Sequence, residues 1–229
     1  MIIFVKYLIR KGIMTDSFKH QGLRKQLVEI VREKGITDNN VLAAIGKVPR
    51  HFFFDSSFLK YAYEDKAFPI GAGQTISQPY TVAFQSQLLM LSKGQKVLEV
   101  GTGSGYQACV LAEMGAKVFS IERQKSLYDK AVIFLPSIGY RIKLFYGDGY
   151  KGLPAYAPFD KIIVTAGAPY IPDALMDQLK PGGILVIPVG GDDVQEMVTI
   201  TRTTENEFRK REHGKFRFVP LLEDKARER

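Results

Sequence analysis

Residues 97–106 of this chain read Val-Leu-Glu-Val-Gly-Thr-Gly-Ser-Gly-Tyr. A short apolar run carries an acid, Glu99, near its end, and Gly101, Gly103 and Gly105 then alternate with Thr102 and Ser104. Glycine at those places lets backbone approach a ligand with no Cβ in the way. A helix opening from such a turn presents unpaired N–H groups to whatever lies in the crevice. The spacing G-x-G-x-G is one residue tighter than the dinucleotide fingerprint G-x-G-x-x-G. A pyrophosphate prefers a turn with no neighbouring carboxylate, whereas an acid beside the first glycine suits a ligand with a cationic, amino-acid-like end. The chemistry favoured is that of S-adenosylmethionine over NAD.

Two more acids follow in the order such a ligand requires. Glu122 lies about 20 residues beyond the first glycine, at the end of the next predicted strand, where its two oxygens can accept both ribose hydroxyls. Gly147-Asp148-Gly149, after the third strand, offers an acid and a flexible backbone to the adenine edge. Each signal alone is weak, since a glycine turn is often only a turn and an acid at a strand end is often a solvated cap. Together, in order, they favour an adenosine cofactor. Upstream, Ile70 to Tyr80 brings Ser77 and Gln78 in front of Pro79. A hydroxyl there can orient a substrate, or the pair can simply cap the helix that Pro79 opens.

The remaining chemistry-bearing residues are few. Cys109 is the single cysteine, which excludes an intrachain disulfide and a cysteine-rich metal site. His20, His51 and His213 have no H-x-x-x-H or H-E-x-x-H spacing, so no metal is expected. The net charge of +8 leaves nucleic acid or acidic protein surfaces open as partners. Its basic residues are spread out, and the densest cluster, Arg209 to Arg217, contains an acid and is expected to form a solvated hairpin turn.

The elements that must position these residues follow from periodicity and punctuation. Helices are expected from Asp16/Ser17 to Gly35, over about 38–47, and from Pro79 toward Gly94. Residues 50–78 read as irregular and aromatic-rich, their rings explained by packing. From Lys96 onward, strands at 96–100, 117–121, 141–146, 160–165 and 183–188 alternate with helices at about 105–114, 124–135 and 171–179. That predicts an α/β fold: a doubly wound, mostly parallel sheet with helices on both faces, behind an N-terminal helical section. Residues 194–201 and 215–222 then predict a terminal antiparallel hairpin. At 229 residues one domain is the default. The expected layout is an N-terminal extension (1–15) and one domain (16–229), with a helical, substrate-side section (16–92), a core (93–222) and a charged tail (223–229). Met1 to Ile13 is apolar but short, and is broken by Lys6, Arg10 and Lys11. No run approaches the roughly 18 apolar residues needed to span a bilayer. A cytoplasmic protein is expected.

On these motifs the chain resembles the protein-L-isoaspartate (D-aspartate) O-methyltransferase family, within the class I, Rossmann-like methyltransferases. The resemblance rests on Gln74-Thr-Ile-Ser-Gln-Pro79 followed by Val97 to Gln107, and on Val48-Pro-Arg-His51, Gly147-Asp-Gly149, Phe159 to Pro169 and Leu179 to Gly190. It covers nearly everything from about residue 16 to 222. The glycine loop alone would indicate only a class I methyltransferase; the Thr-Ile-Ser-Gln-Pro element is the specific part. The resemblance implies Ser77 as the active-site residue. It implies cofactor contacts from Gln74, from Glu99 and Gly101 to Gly105, and from Glu122, Asp148 and Gly149. It places Thr75, Ile76, Ser77 and Gln78 on the substrate side. Where some relatives have threonine after Val-Pro-Leu, this chain has Leu222, which removes a hydroxyl there.

The reaction implied is methyl transfer from S-adenosylmethionine to the free carboxyl of L-isoaspartyl, and possibly D-aspartyl, residues in damaged proteins. The ester then collapses to a succinimide that reopens partly to aspartate. A carboxylate is already ionised at neutral pH, so no general base is required. Aligning oxygen, methyl and sulfur and excluding water is the main task. The partners implied are damaged proteins, with no nucleic acid and no membrane, and the chain is expected to be a monomer. Three rivals share some of these signals. A nucleic-acid methyltransferase would suit the basic charge, but Thr165-Ala-Gly-Ala-Pro169 replaces the Asn-Pro-Pro-aromatic element. An NAD-dependent oxidoreductase is opposed by the tighter glycine spacing, and a non-catalytic adenosine-binding module would use the same core without turnover.

Overall fold

The computed structural model describes residues 15–191 and 193–226. The expected extension, Thr15 excepted, and the last three residues of the charged tail therefore lie outside the described residues.

Ser17 accepts from the His20 N–H and opens helix α1 (Phe18–Glu33), and Asp38 does the same through Asn40 for α2 (Asn39–Lys47). Leu27 and Val31 of α1 and Val41, Leu42, Ala44 and Ile45 of α2 face inward. Residues 50–78, expected to be irregular, contain two 3₁₀ turns and a two-stranded antiparallel hairpin, β1 (Phe68–Gly71) and β2 (Gln74–Ile76). Three or four residues per strand are too few for a periodic signal. The rings here pack on one another: Phe53 meets Tyr106 and Phe134 edge-on, and Phe68 touches Phe54, Phe58 and Tyr61. Pro79 then starts α3 (Pro79–Leu88), where its missing N–H costs nothing.

Strand and helix alternate from β3 (Lys96–Val100) through α4 (Tyr106–Glu113), β4 (Lys117–Glu122), α5 (Lys125–Ser137) and β5 (Lys143–Tyr146); two 3₁₀ turns then lead to β6 (Phe159–Val164), followed by α6 (Asp173–Asp177) and β7 (Leu179–Gly190). Antiparallel β8 (Gln195–Arg202) and β9 (Phe208–Phe216) complete a seven-stranded sheet in the order β5-β4-β3-β6-β7-β8-β9. Successive residues of β3 divide between the two faces: Val97 joins the core under α1–α5, and Leu98 and Val100 join the core under α6. The α6 side is the thinner layer, because α6 spans five residues where about nine were expected.

The terminal hairpin is present but displaced. Its second strand runs over 208–216 rather than 215–222, so the basic cluster from Arg209 is strand and not turn. β9 is an edge strand, exposed along most of its length, and lysines and arginines there leave no apolar face to read. Beyond it, residues 217–222 turn back over the sheet. Pro220 bridges Gly167, with the Gly167 N–H donating to Val219 O at 2.8 Å and the Leu221 N–H to Gly167 O at 2.7 Å.

Candidate active site

The chain order reverses between β3 and β6, and a crevice opens there beyond the strands' carboxyl ends, as in open α/β sheets generally. The turn after β3 forms its floor. Gly101 and Gly103 have φ of +98° and +53°, values that a side chain resists. A Cβ on Gly101 would also strike Thr165 Oγ1, which donates to Val100 O at 3.0 Å and Gly101 O at 2.7 Å. The Thr165 hydroxyl thus ties the glycine turn to the end of β6.

Glu122, at the end of β4, holds the other side of the turn. One carboxylate oxygen accepts from the Gly103 N–H at 2.8 Å and the other from the Gln124 N–H at 2.7 Å. Burial raises its pKa, against the opposing pull of those N–H groups. The cleft is walled by Gln74 to Ser77, Gly101 to Ser104, Glu122 and Gly149, and also by Tyr106, Gln107, Thr165 and Val219 to Leu222. Leu222, where a hydroxyl was noted as missing, lies on this wall and is about half exposed.

Four of the residues expected at the site do not line this cleft. Glu99 sits one pleat too early in β3: its carboxyl is fully buried, receives the Ser120 hydroxyl, and has its pKa pushed up to about 8 by burial. The acid expected to face a cationic ligand end thus points into the core beneath α4. Gly105 begins α4 with its Cα against Leu135, where a Cβ would collide. Asp148 is buried and caps a 3₁₀ turn, accepting from the Tyr150 N–H at 2.9 Å, while its neighbour Gly149 reaches the cleft. Gln78 belongs to a second, adjoining cavity.

That second cavity shares Thr75, Ser77, Thr165 and Val219 with the first. Ser77 therefore stands where the two meet. Its hydroxyl has no hydrogen-bond partner among the described residues, and α3 has no side-chain cap from Gln78. The capping task falls to Asp65, whose carboxylate accepts from the Tyr80 N–H at 2.8 Å and from the Gln78 side chain at 2.9 Å. The Ser77 carbonyl accepts at 2.9 Å from Arg50, which is fully buried against the Tyr106 ring. Arg50 has two further N–H-bearing nitrogens without partners among the described residues, and burial pulls its pKa down to about 10.

A model of the family described as protein-L-isoaspartate (D-aspartate) O-methyltransferase matches residues 22–226. The chain belongs to this family. The protein-L-isoaspartate O-methyltransferase of Christiangramia forsetii is 66% identical over 213 residues, covering 93% of this chain and all of the relative. That of Flavobacterium psychrophilum is 64% identical over the same span and shares. Among solved structures, a protein-L-isoaspartate O-methyltransferase superposes with a TM-score of 0.77 at 28% identity, covering 86% of this chain and 65% of that one. A second, from Plasmodium falciparum in complex with S-adenosyl-L-homocysteine, gives 0.75 at 27% identity, covering 87% and 98%.

The family's activity, S-adenosylmethionine-dependent methylation of isoaspartyl carboxyls, is accordingly the activity of this chain. The fold is that of its class I methyltransferases. Several residues that shape the site in this isoaspartate methyltransferase gave no sequence signal of their own. Thr165 was read as the end of a strand and as part of the Phe159 to Pro169 motif, and Val219 to Leu221 as part of a hairpin and of the Val-Pro-Leu run, without a site role for either. Arg50 carried nothing beyond its place in a Val-Pro-Arg-His run. His20 and His51, distant in sequence, stack with ring centroids 3.8 Å apart beside Asp16. Among the described residues these three bring ligand-type atoms together. The carboxylate of Asp16 is held by both terminal nitrogens of Arg24 and His51 Nδ1 pairs with the Tyr63 hydroxyl, so the group serves packing. Cys109 is buried with its thiol pKa pushed up by burial, a packing residue rather than a nucleophile. No helix among the described residues is long and apolar enough to cross a membrane.

Proposed function

We propose that the cleft over the glycine turn holds S-adenosylmethionine, that the adjoining cavity receives the isoaspartyl segment, and that Ser77 aligns the acceptor carboxylate at their junction. In this reading Glu122 turns an oxygen to the ribose while keeping the Gly103 N–H. Gly101 to Ser104 and Gly149 meet the cofactor through backbone, and Gln74 closes over it. Glu99 and Asp148 act from behind, one beneath the turn and one at the base of the Gly149 loop. Thr75, Ile76 and Gln78 form the edge along which the peptide lies. The observation that carries the reading is the Ser77 hydroxyl, without a hydrogen-bond partner among the described residues, at the meeting point of two cavities of which one is built on a glycine turn.

The chemistry asks little more of the chain. The acceptor is a carboxylate with an unperturbed pKa of about 4, ionised without help. One hydroxyl donating to one of its oxygens leaves the other oxygen's lone pair directed at the methyl carbon. S-adenosylmethionine bound there would supply the electrophilic methyl, its sulfur leaving with the electron pair of the broken methyl–sulfur bond. The protein supplies alignment and excludes water, for which Ile76, Val219 and Leu221 are suited. We further read residues 16–229 as one methyltransferase domain acting as a cytoplasmic monomer on damaged proteins, with neither nucleic acid nor membrane as partner. Labelled methyl transfer to an isoaspartyl peptide, with the matching aspartyl peptide as control, tests the reading; equal labelling of both peptides contradicts it.

A further inference from the structure

The second cavity combines an apolar floor with an unbalanced rim. Tyr80, Phe216 and Phe218 supply the floor, and three cations, Lys34, Lys215 and Arg217, stand around it with no carboxylate among the lining residues. Lys34 is neutralised by Asp65 at 2.5 Å. Lys215 and Arg217 are exposed and make no ion pair among the described residues. The acid nearest in register to Lys215 is Glu196 on β8, whose carboxylate instead receives the Gly214 N–H. Two exposed cations with no ion pair among the described residues therefore border the same cavity as Ser77.

We infer that Lys215 and Arg217 set substrate preference, favouring isoaspartyl sites with acidic residues within about three positions of the lesion. The inference rests on the isoaspartyl reading of the Ser77 site. An extended peptide rises about 3.3 Å per residue, so side chains one to three positions from the lesion lie within roughly one Debye length of these cations. The attraction acts on encounter and binding of the peptide and not on methyl transfer itself. It therefore appears in KM and leaves the methyl-transfer rate at saturation unaffected by the flanks.

The test uses isoaspartyl peptides identical except for glutamate or lysine two positions either side of the lesion, with the full-length enzyme. At low salt the glutamate peptide should have a kcat/KM roughly three- to tenfold above the lysine peptide, as exposed charge pairs allow. The gap should lie in KM and close as ionic strength rises. In K215E/R217E it should vanish or invert, with S-adenosylhomocysteine binding by calorimetry confirming an intact cofactor cleft. Equal methylation of both peptides by the parent enzyme overturns the preference and leaves the isoaspartyl reading standing. A preference that survives K215E/R217E overturns the assignment to these residues. Failure to methylate any isoaspartyl peptide overturns the reading on which the inference rests.

Discussion

Glu122 is placed to do two things at once, and replacing it separates them. Its two oxygens accept the Gly103 and Gln124 N–H groups at 2.8 and 2.7 Å. Hydrogen bonds to a charged acceptor contribute about 1.5–3 kcal/mol each, but burial of the carboxylate offsets part of that. A net loss of about 2 kcal/mol in Glu122→Ala is expected, which lowers Tm by roughly 4–8 °C in a chain of this size. If the carboxylate also holds the ribose, cofactor affinity falls at least tenfold, about 1.4 kcal/mol. At S-adenosylhomocysteine near 100 times the parent Kd, ligand stabilisation drops from about 2.7 to about 1.4 kcal/mol, so the ligand-induced Tm shift halves. Glu122→Gln keeps the shape, yet its amide nitrogen must face one of the two N–H donors, leaving that donor unpaired. It should therefore lose stability on a similar scale. Differential scanning with and without ligand reads both quantities. A Glu122→Ala protein with the parent Tm refutes the role in holding the turn, and one with the parent ligand shift refutes the ribose role.

Three further outcomes are expected. Ser77→Ala should lower turnover on an isoaspartyl peptide about 5- to 150-fold with cofactor affinity little changed. Its Tm should hold, since the hydroxyl has no partner among the described residues; full turnover, or a fallen Tm instead, would return Ser77 to a structural role. Arg50→Met removes a buried charge that lacks a carboxylate partner, a change often neutral or stabilising, while releasing the Ser77 carbonyl. Turnover should fall about tenfold or more through misalignment with stability near that of the parent, and unchanged kcat at saturating peptide would refute the positioning argument. Glu99, raised from 4.5 to about 8 by burial, keeps in the folded state a proton that the unfolded chain has released. Stability should therefore decline between pH 4.5 and 8, by at most about 1.4 kcal/mol per pH unit, and level off above. Glu99→Gln should flatten that decline, and urea midpoints that change in parallel for both proteins between pH 5 and 8 would show that Glu99 does not carry it.

Residues that act through their own backbone were the most legible in the sequence. Gly101 and Gly103 betrayed the turn because left-handed backbone needs glycine, and the turn in turn located β3 and α4. Glu122 was legible because strand ends in a parallel sheet all point toward one crevice. Glu99 misled for the same reason: sequence spacing gives distance to the turn, but the pleat decides the face, and one residue changes it. Most apolar strands were found to within a residue or two, though β7 begins four residues before its expected start, and β9 was misplaced because an edge strand built of lysine and arginine has no buried side. Thr165, Arg50, Asp65 and the Val219 to Leu221 wall stayed hidden for another reason. Each acts through a partner tens of residues away, and no local pattern encodes such pairings.

The loop carrying Ser77 is pinned by Arg50 on its carbonyl and by Asp65 on the residues that follow. A fixed loop between two cavities gives the enzyme little room to adapt to its client. If Ser77 aligns the acceptor as proposed, the client must do the adapting, presenting the lesion on a stretch of chain able to thread the junction. For a lesion inside a folded helix or strand, methylation then draws only on the fraction of molecules locally opened there. Every 1.4 kcal/mol of local opening free energy slows repair by about tenfold. Damage in loose segments is serviced first. Damage locked in a stable core waits for the core to loosen, so the rigidity of one serine loop becomes a gauge of how disordered a damaged protein has become.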